Sequence, residues 1–185
     1  MIDEIITRLR AEIKTVFDEV DSWFEIDENL LSYHPKKGGW SIGEILEHIS
    51  ITNHFLLILI KKGASKALAR AGRENYSDLL NNYVLDWERL NLVGEHQSFQ
   101  WNRPEHMEPT GLADLKEIQD TLHLQVKDLL ECLDQLKKGE GVLYKTTMSV
   151  HNLGKIDVYH YMYFLTQHAK RHLRQMEKVG EESQN

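Results

Sequence analysis

Residues 40–61, WSIGEILEHISITNHFLLILIK, decide the fold, because they join the clearest helix start in the chain to an apolar run with helical spacing. Ser41 is a good N-cap, and Glu44, three residues on, can return a bond to the Ser41 amide. Trp40 and Ile45 occupy the staple positions on either side of that cap. The preceding SYHPKKGG, with one proline and paired glycines, reads as a connection. A helix is therefore expected from Ile42 to about Lys61, with Ile45, His48, Ile49, Thr52 and Leu56 on one face.

Similar patterns lie on both sides. Ile2, Ile5, Ile6, Leu9, Ile13, Val16, Phe17 and Val20 recur at helical spacing with charges between them, which predicts an amphipathic helix over residues 2–21. Leu115, Ile118, Leu122, Val126, Leu129, Leu133 and Leu136 predict another, capped by Thr110 and ending near KKGEG. An extended piece around residues 142–150 and a turn at HNLG lead to a last helix over about 156–179. Residues 63–108 carry a shorter helical pattern at 76–92 and otherwise read as irregular. The three prolines, Pro35, Pro104 and Pro109, all fall in connections. These patterns predict an all-α fold, a four-helix bundle with a loop-rich excursion between its second and third helices, forming a single domain over residues 1–185.

Composition narrows the function. A formal charge of -7 without a long basic stretch gives no source for phosphate neutralisation, so nucleic acid is not an expected partner. The longest uninterrupted apolar run, residues 55–60, is bounded by His54 and Lys61, far short of the roughly 18 residues of a bilayer span, and no membrane partner is expected. The N-terminus, MIDEIITRLRAEI, carries acids where a signal peptide is uncharged, so the expected location is cytoplasmic. Cys132 is the only cysteine, so any metal must be held by nitrogen and oxygen ligands.

Ten histidines give about half an i,i+4 pair by chance, so the pair His168 and His172 means little by spacing alone. Facing adds weight. One helical turn places the two rings about 40° apart, within or beside the stripe of Met162, Leu165, Ala169, Leu173 and Met176. His48 lies on the corresponding apolar face of the second helix. A single histidine in such a place is ordinarily a core residue with a satisfied hydrogen bond. Three buried together are costly unless every nitrogen finds a partner, and one divalent cation satisfies all three. The expected metal ligands are His48, His168 and His172, with zinc or nickel the first choices of ion and cobalt, iron and manganese also compatible. Three neutral ligands leave positions for water or substrate, the arrangement of a catalytic site.

The stretch WSIGEILEHI, the segment RPEHMEPTG, the HNLGKI turn and the ending HAKRHLRQ together resemble the DinB-like superfamily, also called DinB/YfiT-like metalloenzymes, over nearly the whole chain. The resemblance implies a four-helix bundle, usually a homodimer, with one metal-binding histidine on the second helix and an HxxxH pair on the last. Those motif positions fall on His48, His168 and His172. Members of known activity include bacillithiol and other low-molecular-weight thiol S-transferases and a mycothiol-dependent maleylpyruvate isomerase. The implied function is a metal-dependent transferase acting on a small-molecule thiol; the alternatives are a non-enzymatic metal-binding stress-response or ligand-binding module and a metal-dependent hydrolase.

Other residues are weighed against ordinary structural roles. Gln175, three residues after His172, can orient a ligand or a water, although surface hydrogen bonding is the commoner fate of such a residue. Tyr159, Tyr163 and Asn53 lie near the ligand levels, where tyrosine usually packs in the core. Lys170, Arg171 and Arg174 make the last helix basic, which its dipole already favours. Glu44 is explained by the cap, and Glu47 is expected to face away from His48. Cys132 reads as a small buried side chain. The PEHMEP segment is expected to close over one end of the bundle.

Overall fold

Leu9, Ile13, Val16 and Val20 return every three or four residues, and in the computed structural model they are buried along one side of the first helix, α1 (Ile2–Ser22). The structure describes residues 2–95, 104–148, 150 and 153–184. After a 3-10 turn at Trp23–Glu25 comes the short α2 (Glu28–Ser32), capped by Asp27. The long α3 (Ile42–Ala71) follows, and its capping box forms as its sequence requires. The Glu44 amide donates to Ser41 Oγ at 3.2 Å, and the Ser41 amide donates to Glu44 Oε2 at 2.7 Å.

α3 runs ten residues beyond the end expected at Lys61. In those residues the buried positions are Gly63, Ala64 and Ala67, so apart from the half-buried Leu68 the large apolar side chains that signal a helix are missing. Close packing explains the choice: a Cβ on Gly63 would lie 3.1 Å from Val158 Cγ2. Within the described part of the excursion, the pattern at 76–92 splits into α4 (Ser77–Asn81) and α5 (Trp87–Gly94); residues 96–103, expected to be irregular, lie outside the described residues. A 3-10 turn at Glu105–Met107 then leads to α6 (Leu115–Gln135). The cap of α6 is Asp114, which accepts from the Glu117 amide at 3.0 Å; Thr110, expected to cap this helix, is held by Glu47 instead.

The expected extended piece resolves into a 3-10 turn at Glu140–Leu143 and β1 (Lys145–Met148), which pairs antiparallel with β2 (Gly154–Asp157). His151 and Asn152 of the expected HNLG turn lie outside the described residues. Ile156, expected to open the last helix, belongs to β2, and α7 (Val158–Ser183) starts behind Asp157, whose side chain accepts the His160 amide.

α1, α3, α6 and α7 form a four-helix bundle in which α1 and α3 each lie beside both α6 and α7. Pairwise contacts give the directions. α1 and α6 are antiparallel, since Arg10 meets Asp134 while Asp21 accepts from Gln119 at 2.9 Å and pairs with His123. α3 and α6 are parallel, with Gly43 against Leu115 and Lys61 bonded to Asp128. α3 and α7 are antiparallel, because Gly63 meets Val158 while His48 meets His168 and His172. α5 covers the outer side of α7, which is why Val158 to Leu165 is buried almost all round and not as a single stripe. By length and composition α3 is apolar enough to cross a membrane, but 61% of its most apolar window is buried within the protein, as in a core helix.

Candidate metal centre

The antiparallel crossing of α3 and α7 brings His48, two turns into α3, opposite His168 and His172. The three are 4%, 4% and 6% exposed, so water cannot satisfy the rings from outside. Ring centroids stand 5.3 Å apart for His48 and His168, 4.7 Å for His48 and His172, and 4.6 Å for His168 and His172. One nitrogen from each lies within 4.8 Å of the other two, and among the described residues these three form the group able to hold a metal ion.

Two of the rings are fixed from behind. His48 Nδ1 is 2.7 Å from the Met107 carbonyl oxygen, which can only accept, so His48 carries its proton on Nδ1 and presents the Nε2 lone pair. His172 Nδ1 donates in the same way to Gln175 Oε1 at 2.9 Å, giving the orienting role read for Gln175 from its spacing. His172 Nε2 then faces His168 Nε2 at 3.2 Å. Two imidazole ligands at about 2.0–2.1 Å from a tetrahedral ion are separated by roughly 3.3 Å, so this spacing suits a shared cation. Burial, and then the proximity of His172, His48 and Arg171, hold the His168 pKa well below the ordinary histidine value, so the ring is neutral and able to ligate. The donor set and its geometry fit a divalent ion.

Trp40, read as a staple residue, has its ring 4.7 Å from that of His48 and 6.5 Å from that of His172, and it forms one wall of the centre. Glu47 is 6% exposed, and its carboxylate accepts from the Thr110 amide at 3.0 Å, the Thr110 hydroxyl at 2.8 Å and the Gly111 amide at 2.9 Å. It thus clasps the segment that follows Met107. The spacing of the histidines gives no hint of the Met107 carbonyl or of this clasp; the one available signal is that Glu47, adjoining His48, is the one acidic residue in the otherwise uncharged stretch 45–60.

The other candidates sit elsewhere. Tyr159 donates to the Leu136 carbonyl at 2.5 Å, and Tyr163 donates to Asn91 Oδ1 at 2.6 Å; burial pushes the Tyr163 phenol up to about 12, and both serve the core. Asn53 is buried in α3. Arg171 donates to the Glu95 carbonyl at 2.7 Å, while Lys170 is half-buried and Arg174 exposed. Cys132 is buried on α6, with its thiol pushed up to about 11 by burial. His34, His123 and His160 pair with Glu44, Asp21 and Asp157, and His106 packs on Phe55. His96 and His151 lie outside the described residues.

A sequence model of the DinB superfamily matches residues 5–176. No curated protein and no solved structure matches the chain.

Proposed function

We propose that this chain, which belongs to the DinB superfamily, is a metal-dependent transferase that passes a low-molecular-weight thiol of the bacillithiol kind to an electrophilic carbon. In this reading His48, His168 and His172 hold one divalent ion, zinc or nickel. The observation that carries it is the convergence of three buried imidazoles, two of them already locked with Nε2 inward by Met107 and Gln175. A divalent ion bound by three such ligands keeps a position open and lowers the pKa of a thiol that reaches it.

The chain's own residues supply orientation and dryness. His48 and His172 hold their tautomers without rearrangement, and the Trp40 ring shields the centre from water, which strengthens every charge interaction inside. The nucleophile must come with a ligand, because burial keeps Cys132 in its unreactive thiol form on a different helix. In the transfer the ligand's sulfur forms the new carbon–sulfur bond, its proton passes to solvent, and the leaving group departs with the bonding pair. A hydrolytic reaction is less well served, since it needs a general base. Glu44 Oε2 is taken by the Ser41 amide beside His34, and both Glu47 oxygens hold residues 110–111.

Untagged protein loaded with zinc or nickel is expected to conjugate bacillithiol, glutathione or coenzyme A to at least one member of a panel of electrophiles, and to lose that activity with a chelator. Absence of turnover across the whole panel by metal-loaded protein would rule out the transferase and leave a metal-binding module.

A further inference from the structure

Glu47 is a buried carboxylate with three donors on it, and all three belong to one short segment 63 or 64 residues away in sequence. That segment begins with the 3-10 turn at Glu105–Met107, closed by amide-to-carbonyl bonds from Met107 to Pro104 at 3.0 Å and from Glu108 to Glu105 at 3.0 Å. Glu108 is extended, with φ -76° and ψ 138°, as a residue before proline should be. Pro109 then fixes its own φ. The Thr110 hydroxyl accepts from the Leu112 amide at 3.1 Å as it donates to Glu47, and Gly111 takes a φ of +69° that lets its amide reach the same carboxylate. A Cβ at Gly111 would stand 3.0 Å from Glu44 Oε1, so the segment lies tight against the start of α3.

Only Glu108 and Pro109 separate Met107 from the Thr110 anchor, and both have little conformational freedom. A shift at Thr110 is therefore passed to Met107, and the Met107 carbonyl is what holds His48 Nδ1 at 2.7 Å. The adjacent pair Glu47 and His48 thus meets both ends of one stiff strap. We propose that Glu47 is a positioning residue for the metal centre, fastening residues 110–111 so that the Met107 carbonyl keeps His48 in its Nδ1–H form with Nε2 turned toward His168 and His172. This rests on the reading of the three histidines as ligands, but the link from Glu47 to the His48 tautomer exists in the metal-free protein and is measurable there.

The test uses the full chain as wild type, Glu47→Ala, Glu47→Gln and Thr110→Val, the last removing one of the three bonds should the first variant fail to fold. Imidazole 15N NMR of the metal-free proteins reads the His48 tautomer, and competition with a chromophoric chelator reads zinc affinity. Wild type is expected to show one Nδ1–H tautomer; Glu47→Ala is expected to show a mixture and to bind zinc about 10- to 100-fold more weakly, the usual cost of losing an outer support. Thr110→Val should fall between them. Glu47→Gln retains an acceptor for Thr110 but turns a donor toward the Gly111 amide, and should recover part of the loss. A His48 tautomer unchanged in folded Glu47→Ala and Thr110→Val would overturn the proposal, even if both were less stable. Wild type that binds no zinc, together with a mixed His48 tautomer in Glu47→Ala, would support the Glu47 link while refuting the metal reading.

Discussion

The two sides of the proposed metal centre are held by different means. On α7, His168 and His172 are one turn apart and the support of His172 is Gln175, three residues further along the same helix. On α3, His48 is supported by a carbonyl 59 residues away, on a 3-10 turn that Glu47 must first clasp to the helix. The α7 half is secured by helix geometry alone, since residues three and four apart always meet. The α3 half exists only once the excursion has folded back. Local support should thus survive perturbation of the excursion, and remote support should not.

Replacing a ligand tests both halves at once and should have the largest effect. His168→Ala and His48→Ala are each expected to abolish stoichiometric binding, because two imidazoles are too few for a stable site; equilibrium dialysis against zinc measures it, and retention of one ion per chain in either variant would remove that residue from the site. Gln175→Ala removes the local support and leaves all three ligands. It should weaken zinc about 10- to 100-fold, or roughly 1.4–2.8 kcal/mol, with the His48 tautomer untouched. A changed His48 ring in Gln175→Ala would show that the two halves are coupled.

The same contrast explains what could be read from the sequence. The capping box at Ser41 and Glu44, the stripes of α1 and α6, and the inward facing of His48, His168 and His172 all depend on spacings of three or four residues, and they stand in the structure as read. So does Gln175 behind His172. The last ten residues of α3 were hidden because their buried positions are Gly63, Ala64 and Ala67, which leave almost no apolar period, and at Gly63 the approach of Val158 on α7 requires the missing side chain. The cap of α6 was misplaced because Thr110 and Asp114 are both competent caps, and only the distant carboxylate of Glu47 decides between them. The Met107 carbonyl, like any backbone group, has no signature in sequence.

The proposed function requires that His48, His168 and His172 share one divalent ion. Anomalous diffraction from crystals of untagged protein, collected on both sides of the zinc and nickel absorption edges, tests it most directly. One anomalous peak per chain, within about 2.0–2.3 Å of the three Nε2 atoms, is the result predicted. Crystals of zinc-supplemented protein with no anomalous density among these rings, or with the ion held at another site, would contradict it.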